Sequence, residues 1–379
     1  MNRRSFLHSA TGLTAVTLAG CLADAGDGDS PDSTGSPDET PTDESTRSPT
    51  DDPTPTVTPS PTPDGPSGVY VQSFRETMVV SGMATDGDYR FALLLAVPHR
   101  FWTVTLEERS AVPIEDSDDV HLMVAVWDPE SGRVLPDSDL SVELTRDGDL
   151  VSQEVIYPML SQRMGFHYGA NFALEGDGTY TARISTGGVS ARTTGSFTGR
   201  FESGASAAID FEWSKAVREQ LKSESLDAAG SRGALKPMDM GELPQPQAAT
   251  PENLSGTVLG TARIDDAKLV VTQLTGMAAE RFTDGDPYFA VSARTPYNRL
   301  VLPAMSVVGQ YARADEILFS DDLQPTLDPE LGYHYGATVP EQAVSGDEVV
   351  VEVPTPPQLA RHEGYERAFL QMTADSFTV

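Results

Sequence analysis

From about residue 69 onward, the chain consists of short runs rich in β-forming residues, and in residues 139–148 apolar and polar residues alternate. Turn-forming Asp-Gly and Gly-Asp-Gly steps separate several of these runs, which begin near residues 69, 76, 89, 119, 139, 150 and 179. This alternation and spacing are typical of the strands of an all-β sandwich. One stretch differs, because residues 211–224 place Trp213, Val217 and Leu221 four positions apart, and this spacing predicts a single helix.

Parts of this pattern occur twice. Residues 85–100 align without gaps with residues 283–298, since both begin with TDGD. Residues 157–170, which end in GFHYGA, align with residues 324–337, which end in GYHYGA. Repeats that keep their order and spacing indicate a duplicated module.

The repeat sets the predicted domain organisation. We expect a first β-sandwich at residues 68–210 and a second, shorter one at residues 257–379. Residues 211–256, which become rich in Gly, Pro and Ala after the predicted helix, are expected to connect them. The fold class predicted is therefore all-β, with two β-sandwich domains in tandem.

The first 67 residues lack any strand pattern. Arg3 and Arg4 precede an apolar run that ends in LAGC at Cys21, and this order predicts a twin-arginine lipoprotein signal peptide at 1–20. The apolar run is too short to span a bilayer. Cleavage before Cys21 would leave its thiol as a lipid anchor in the membrane. Residues 21–67 are almost all Asp, Thr, Ser, Pro and Gly, which predicts a disordered stalk outside the cell.

Charge narrows the range of partners. The 379 residues carry a formal net charge of −31, which argues against nucleic-acid binding because phosphate contacts need a basic surface. An acidic excess of this size is typical of proteins adapted to high salt, and a halophilic source is expected. The chain has one cysteine, Cys21, so no disulfide can form within it.

Sequence motifs of common enzymes are missing. The chain contains no GxSxG elbow, no phosphate-binding Walker loop, no GxGxxG and no HExxH. The sequence therefore predicts a protein that is not an enzyme.

Metal binding is the chemistry that the repeated motif favours. A neutral imidazole such as that of His167 binds copper, zinc or ferrous iron, and a thioether such as that of Met159 favours Cu(I). The alternative is that His167 only closes a strand, with its ring hydrogen-bonded inside the sandwich.

Residues 158–171, PMLSQRMGFHYGAN, resemble the signature of a periplasmic iron-uptake family. Its members include a nineteen-kilodalton periplasmic protein and a thirty-four-kilodalton treponemal lipoprotein. The resemblance covers about residues 70–200 and returns weakly in 260–379. It implies an immunoglobulin-like β-sandwich, often dimeric, with a copper-type site beside an iron site. The implied ligands are a Met-loop-His pair, a His-x-Glu on an earlier strand and one late histidine.

Carried over to this chain, the resemblance is incomplete. Met159 and His167 match the Met and His of the pair, but residues 89–92 read YRFA where His-x-Glu is expected, and the first module has no late histidine. We name His99 as the third metal ligand because it follows a proline at a strand end. Other candidates to complete the site are His121, Met164, Met238 and Met240.

The remaining histidines are assigned to other roles. His121 lies on an apolar strand and is expected to be structural. In the second module Thr326 replaces the Met, so His334 is expected to be scaffold. His362 lies in a polar stretch and is expected to face solvent.

These observations lead to three functional hypotheses. The first is a surface-anchored lipoprotein, lipidated at Cys21, that binds copper or iron and presents it to a membrane permease, as a monomer or a homodimer. The second is a non-enzymatic cell-surface interaction protein whose metal site has decayed. The third, favoured least because ligands are missing, is a redox enzyme that oxidises or reduces iron through bound copper.

Overall fold

A computed structural model describes residues 66–379, which fold mainly into strands. In the first half these are β1 (Phe74–Glu76), β2 (Val79–Asp86), β3 (Tyr89–Ala96), β4 (Phe101–Thr105), β5 (Glu108–Val112), β6 (Val120–Trp127), β7 (Leu140–Arg146), β8 (Asp149–Val155), β9 (Tyr157–Ser161), β10 (Gly165–Phe172), β11 (Gly178–Thr186), β12 (Arg192–Thr193) and β13 (Ala205–Trp213).

The connecting segment and the second half also consist mainly of short strands and turns. The connection contains helix α1 (Lys215–Arg218) and β14 (Ser223–Ser225), and 3-10 turns form at Gly195–Phe197, Pro251–Asn253 and Gly276–Ala278. The remaining strands are β15 (Thr257–Ile264), β16 (Ala267–Leu274), β17 (Tyr288–Arg294), β18 (Ser306–Arg313), β19 (Glu316–Asp322), β20 (Gln324–Asp328), β21 (Gly332–Thr338), β22 (Glu348–Thr355), β23 (Ala360–Arg361) and β24 (Ala374–Thr378).

Each module is a sandwich of a large and a small sheet. In the first, an eight-stranded sheet of order β2-β3-β6-β10-β9-β23-β4-β5 faces a four-stranded sheet of order β13-β11-β7-β8. In the second, a six-stranded sheet of order β12-β20-β21-β17-β16-β15 faces one of order β19-β18-β22-β24. Strand β13 buries every second residue, as expected of a strand with one face on a core. The prediction of two tandem β-sandwiches is confirmed.

Strand order shows how the two modules correspond. In the large sheets, β2, β3, β6, β10 and β9 occupy the same places as β15, β16, β17, β21 and β20. Residues 283–298 contain β17, so they correspond to the region of β6. The predicted alignment of 283–298 with 85–100 is therefore wrong. The alignment depended on the shared TDGD sequence, which forms the β2–β3 turn in the first module but precedes β17 in the second.

The modules exchange short strands. Strand β23, from the second module, inserts into the first module's large sheet, parallel to β9 and antiparallel to β4. Strand β12, from the first module, pairs in parallel with β20 of the second. Each exchanged strand has only two residues, too few to show a hydrophobic period in the sequence.

The predicted helix at 211–224 is wrong over most of its length. Residues up to Trp213 complete β13, and the helix keeps only the four residues of α1, capped by the Ser214 hydroxyl, which accepts a hydrogen bond from the Val217 N–H. The segment then forms β14, which pairs with β1 as a two-stranded ribbon. Residues up to Trp213 form a strand rather than a helix because the alternate buried residues of β13 belong to the sandwich core.

The outer face of the eight-stranded sheet is covered as well as its inner face. Every residue of β6 is buried, which requires packing on both sides. On the outside, Met123, Trp127 and Met164 pack with Leu243 and Met240 of the connection between the modules. This covered outer face is where the candidate site lies.

The predicted signal peptide, the stalk and the lipid anchor Cys21 lie outside the described residues. Within residues 66–379, none of the helices has the length and apolar character needed to cross a bilayer.

Candidate metal centre

Four histidines from distant parts of the chain meet on the covered face of the eight-stranded sheet. One ring nitrogen from each of His99, His121 and His362 lies within 4.8 Å of the others. His167 adjoins this set, with its ring centroid 5.2 Å from that of His362. All four side chains are buried, the most exposed being His362 at 6%. We call these four residues the imidazole cluster.

Strands β6 and β10 hold two of the four rings. His121 pairs with Asn171 across the two strands, and its Nδ1–H donates to Asn171 Oδ1 at 2.8 Å. The Asn171 amide nitrogen in turn donates to the His99 carbonyl oxygen at 3.1 Å. His167 Nδ1–H donates to the Gly165 carbonyl oxygen at 3.0 Å. Such bonds fix the tautomer and leave Nε2 of both rings with a free lone pair.

His362 reaches the cluster from the second module. Its backbone N–H donates to the Leu160 carbonyl oxygen at 3.1 Å, which continues the pairing of β23 with β9. The neighbouring Arg361 is fully buried, and its guanidinium donates to the carbonyl oxygens of Pro357 and Ala368. These bonds close the loop that carries the histidine.

A glycine in the same loop fits where another residue would not. Gly364 has φ of +89°, and a Cβ added there would overlap Gln162 Nε2 and the Tyr70 carbonyl oxygen. Its N–H donates to Glu366 Oε2 at 2.7 Å, and Glu366 Oε1 accepts from the Tyr70 hydroxyl at 2.7 Å. The loop that presents His362 is thus tied to the first module by buried hydrogen bonds.

Met159 faces the same space as the rings. It lies opposite His167 in the β9–β10 pair and is completely buried. A Cβ added at Gly169 would lie 2.9 Å from His121 Nε2 and 3.1 Å from Met159 Sδ. The absence of a side chain at Gly169 therefore leaves room between a thioether and an imidazole nitrogen.

His99 and Glu76 supply the charged corner of the site. His99 Nδ1 lies 3.0 Å from the Val97 carbonyl oxygen and 3.1 Å from Glu76 Oε2, and its Nε2 lies 3.1 Å from His362 Nδ1. Burial alone would lower the pKa of His99. The negative charge and hydrogen bond of Glu76, with the Val97 carbonyl, outweigh burial and raise this pKa above its usual value.

The other three imidazoles are held neutral. Burial is the largest cause in each case, because a charged ring loses its hydration, and the positive field of His99 adds to it. The pKa of His167 is lowered to about 4, and those of His121 and His362 are lowered well below 6.5. Neutral imidazoles are the form that binds metal.

Three of these rings have an unused nitrogen. Nε2 of His121, His167 and His362 is buried and makes no hydrogen bond among the described residues. Buried polar atoms are nearly always satisfied in folded proteins. The donor set of imidazole nitrogens beside a thioether and a carboxylate fits a transition-metal ion.

The structure brings together all three ligands named from the sequence, since His167, Met159 and His99 lie in or beside the cluster. The other two members of the cluster were expected to have other roles, although His121 was also named as an alternative ligand. The expectation that His362 faces solvent is wrong, because it is 6% exposed. His121, expected to be structural, turns its Nε2 toward the same space. Met164 and Met240 instead pack in the apolar cluster beneath the intermodule connection.

The equivalent place in the second module has different chemistry. By register, Tyr288 stands where the first module has His121, Thr326 where it has Met159, and His334 where it has His167. The Tyr288 hydroxyl lies 3.2 Å from His334 Nε2 and 3.4 Å from Thr326 Oγ1. Thr194, after the exchanged strand β12, takes the place of His362 and donates to Asp328 Oδ2 at 2.9 Å. These side chains satisfy one another's hydrogen-bonding groups, including Nε2 of His334.

Comparison with solved structures finds similarity to FetP of uropathogenic E. coli strain F11. The as-isolated protein has 23% identity and a TM-score of 0.30, and the match covers 37% of this chain and 96% of that one. A copper-bound variant of FetP has 21% identity and a TM-score of 0.30, with 37% of this chain and 93% of that one covered. A comparison with curated proteins finds no match.

A family model matches the chain in both modules. The model described as "Domain of unknown function (DUF7350)" matches residues 81–202 and again residues 252–378. The two matches fall on the two sandwiches and together span more than half of the chain. The protein therefore belongs to the DUF7350 family and carries its domain twice.

Proposed function

We propose that this protein binds one transition-metal ion in the imidazole cluster, with Met159 and Glu76 beside it. The observation that carries the proposal is the approach of one ring nitrogen from each of His99, His121 and His362 to within 4.8 Å of the others in a buried space. Beside them, Nε2 of His121, His167 and His362 has no hydrogen-bond partner among the described residues. Leaving a buried polar atom unpaired costs about 1–3 kcal/mol. Several such atoms in one place are retained most simply as ligands.

Copper in its monovalent state fits this donor set best, and iron is the second candidate. Imidazole and thioether ligands suit Cu(I), whereas ferric iron favours oxygen ligands, of which the cluster offers only Glu76. Charge balance is consistent with this choice. When a metal ion replaces the proton on His99, the single carboxylate of Glu76 neutralises a monovalent ion, so burial of the loaded site leaves no net charge.

The metal in this proposal is cargo, and binding requires no covalent chemistry. The twin-arginine signal and Cys21 support export and lipid anchoring, and an ion held outside the cell in this way would be passed to a membrane permease. His362 contributes to binding only when the second module is docked. The second module therefore acts as part of the site.

The test uses the full-length mature protein, loaded with Cu(I) anaerobically and then dialysed. Elemental analysis should find one equivalent of metal per chain. His362→Ala should remove most of it, and the matched variant His334→Ala in the second module should retain it. No metal above background in the wild type, or equal retention by the two variants, would refute the proposal.

A further inference from the structure

A surface cavity opens beside the imidazole cluster. It has a volume of about 520 Å³ and is bounded by the ribbon of β1 and β14, by the β9–β10 turn and by the intermodule connection. Its wall includes Glu76, Met78 and Met238.

Glu76 belongs to both the cavity and the cluster. Its carboxylate is 3.1 Å from His99 Nδ1, and its backbone carbonyl accepts from Arg163 Nη1 at 2.8 Å. The preceding Arg75 also lies at the cavity wall, where it pairs with Glu224. Glu76 is therefore the partition between the cavity and the imidazoles.

Glu76 lies on the ribbon of β1 and β14, which is an element of low stability. The ribbon has only three residue pairs, Phe74 with Ser225, Arg75 with Glu224 and Glu76 with Ser223. A two-stranded ribbon of this length has little stability of its own and opens locally at low cost. Because Glu76 is the last residue of β1, opening of the ribbon would displace its carboxylate.

Methionine side chains lie between the cavity and the imidazole cluster. Met78 lines the cavity and also packs against the buried group that contains Met123 and Met164. Met123 follows His121 by two residues on β6, so both side chains lie on the same face of the sheet. Sulfur ligands thus lie on both sides of the partition.

The charged residues of the wall favour a soft ion over hard ones. Arg75, Arg163 and Lys222 outnumber Glu76 and Glu224 here, although the chain as a whole carries a charge of −31. A cationic wall disfavours hydrated hard divalent ions, whereas thioether bonding still attracts a soft monovalent ion.

We propose that this cavity is the entry port for Cu(I), with Met78 and Met238 as its first protein ligands and Glu76 as the gate to the imidazole cluster. This inference rests on the proposed function and adds the route by which the site is filled.

The test follows the rate of Cu(I) transfer from a chromogenic chelator to the full-length apo protein, without oxygen. The double variant Met78→Leu/Met238→Leu should slow loading by on the order of tenfold, equivalent to about 1.4 kcal/mol on the barrier. The amount bound at the end point should be unchanged. The control Met277→Leu, at an exposed methionine of the second module, should load at the wild-type rate.

A second variant guards against misfolding of the first. Ser223→Trp places a bulky side chain at an exposed position of the cavity wall and should also slow loading. Unchanged rates in both variants would overturn the port while leaving metal binding intact. A reduced end point would make the methionines permanent ligands and would likewise overturn it. No binding by the wild type would overturn the proposed function itself.

Discussion

The two modules share the same strand arrangement around the HYG histidine but place different side chains beside it. In both, a short strand from the other module runs parallel to the strand before the HYG motif, and a histidine donates through Nδ1 to a glycine carbonyl oxygen. In the first module the space beside that histidine holds further imidazoles and a thioether. In the second module it holds the hydroxyls of Tyr288 and Thr326.

The difference shows that the HYG motif alone does not make a metal site. His334 Nε2 is satisfied by Tyr288, whereas His167 Nε2 has no hydrogen-bond partner among the described residues. A Cβ at Gly336 would overlap the Tyr288 hydroxyl, so the tyrosine fills the space that Gly169 keeps open in the first module. His99 has no counterpart either, because strands β4 and β5 are not repeated in the second large sheet.

The largest effect is expected from giving the first site the residues of the second. The triple variant His121→Tyr/Met159→Thr/His362→Thr should lose its metal completely, because hydroxyls replace the soft ligands. Elemental analysis after dialysis measures the loss. Circular dichroism should show an intact β fold, and stoichiometric metal in a folded triple variant would contradict the comparison.

Acid should destabilise the metal-free protein. His167 and His334, with pKa values of about 4, stay neutral in the folded state but gain a proton on unfolding below pH 6.5. Stability therefore falls as the pH is lowered from about 6.5 to 4, by about 1.4 kcal/mol per pH unit for each histidine. His99 has a raised pKa, so its contribution is fully present below pH 6.5 and is lost only as the pH rises through that raised value.

Urea unfolding across this pH range measures the slope. Either single variant, His167→Gln or His334→Gln, should make the slope shallower by the contribution of one histidine. A flat profile between pH 6.5 and 4 would show that the two rings are not held neutral.

A smaller change in metal binding is expected at the residue that orients His121. Asn171→Ala removes the acceptor of the His121 Nδ1–H and should weaken metal binding by about 10–100-fold, as is usual when a residue behind a ligand is lost. Thr338 stands opposite Tyr288 as Asn171 stands opposite His121, and Thr338→Ala should not change the affinity. Competition with a Cu(I) chelator measures both, and equal affinities would exclude this role for Asn171.

The smallest effect is expected in the second module. Tyr288→Phe removes the hydroxyl that contacts His334 and Thr326 and should lower the free energy of unfolding by about 1 kcal/mol. Metal content should stay the same. Tyr157→Phe, at a tyrosine that is 41% exposed, is the matched control in urea unfolding and should change little.

Alternation in the sequence was enough to predict the sandwiches, because strands such as β13 have one face in a core and one in solvent. It failed at residues 211–224, where a spacing of four arose by chance across the end of a strand and a short turn of helix. The repeated HYG phrase correctly marked β10 and β21 as equivalent. The TDGD sequence did not identify equivalent strands, because turn-forming residues recur at every turn of this kind.

The site was only partly predictable for a physical reason. His121 lies on a strand buried on both faces, so alternation does not reveal that its face holds a site. His362 enters through the two-residue strand β23, which pairs with β9 far away in the sequence, and its polar neighbours suggested exposure. The polar residues around it form buried hydrogen bonds instead of facing solvent, as Arg361 and Glu366 do.

In the proposed metal site, imidazoles from both modules bind one ion together with Met159. X-ray absorption at the copper edge of the Cu(I)-loaded full-length protein reports these ligands. Imidazole nitrogens and one sulfur are expected in the first shell, with the sulfur lost in Met159→Thr and an imidazole lost in His362→Thr. A shell of oxygen atoms alone, or a spectrum that neither substitution changes, would contradict this proposal.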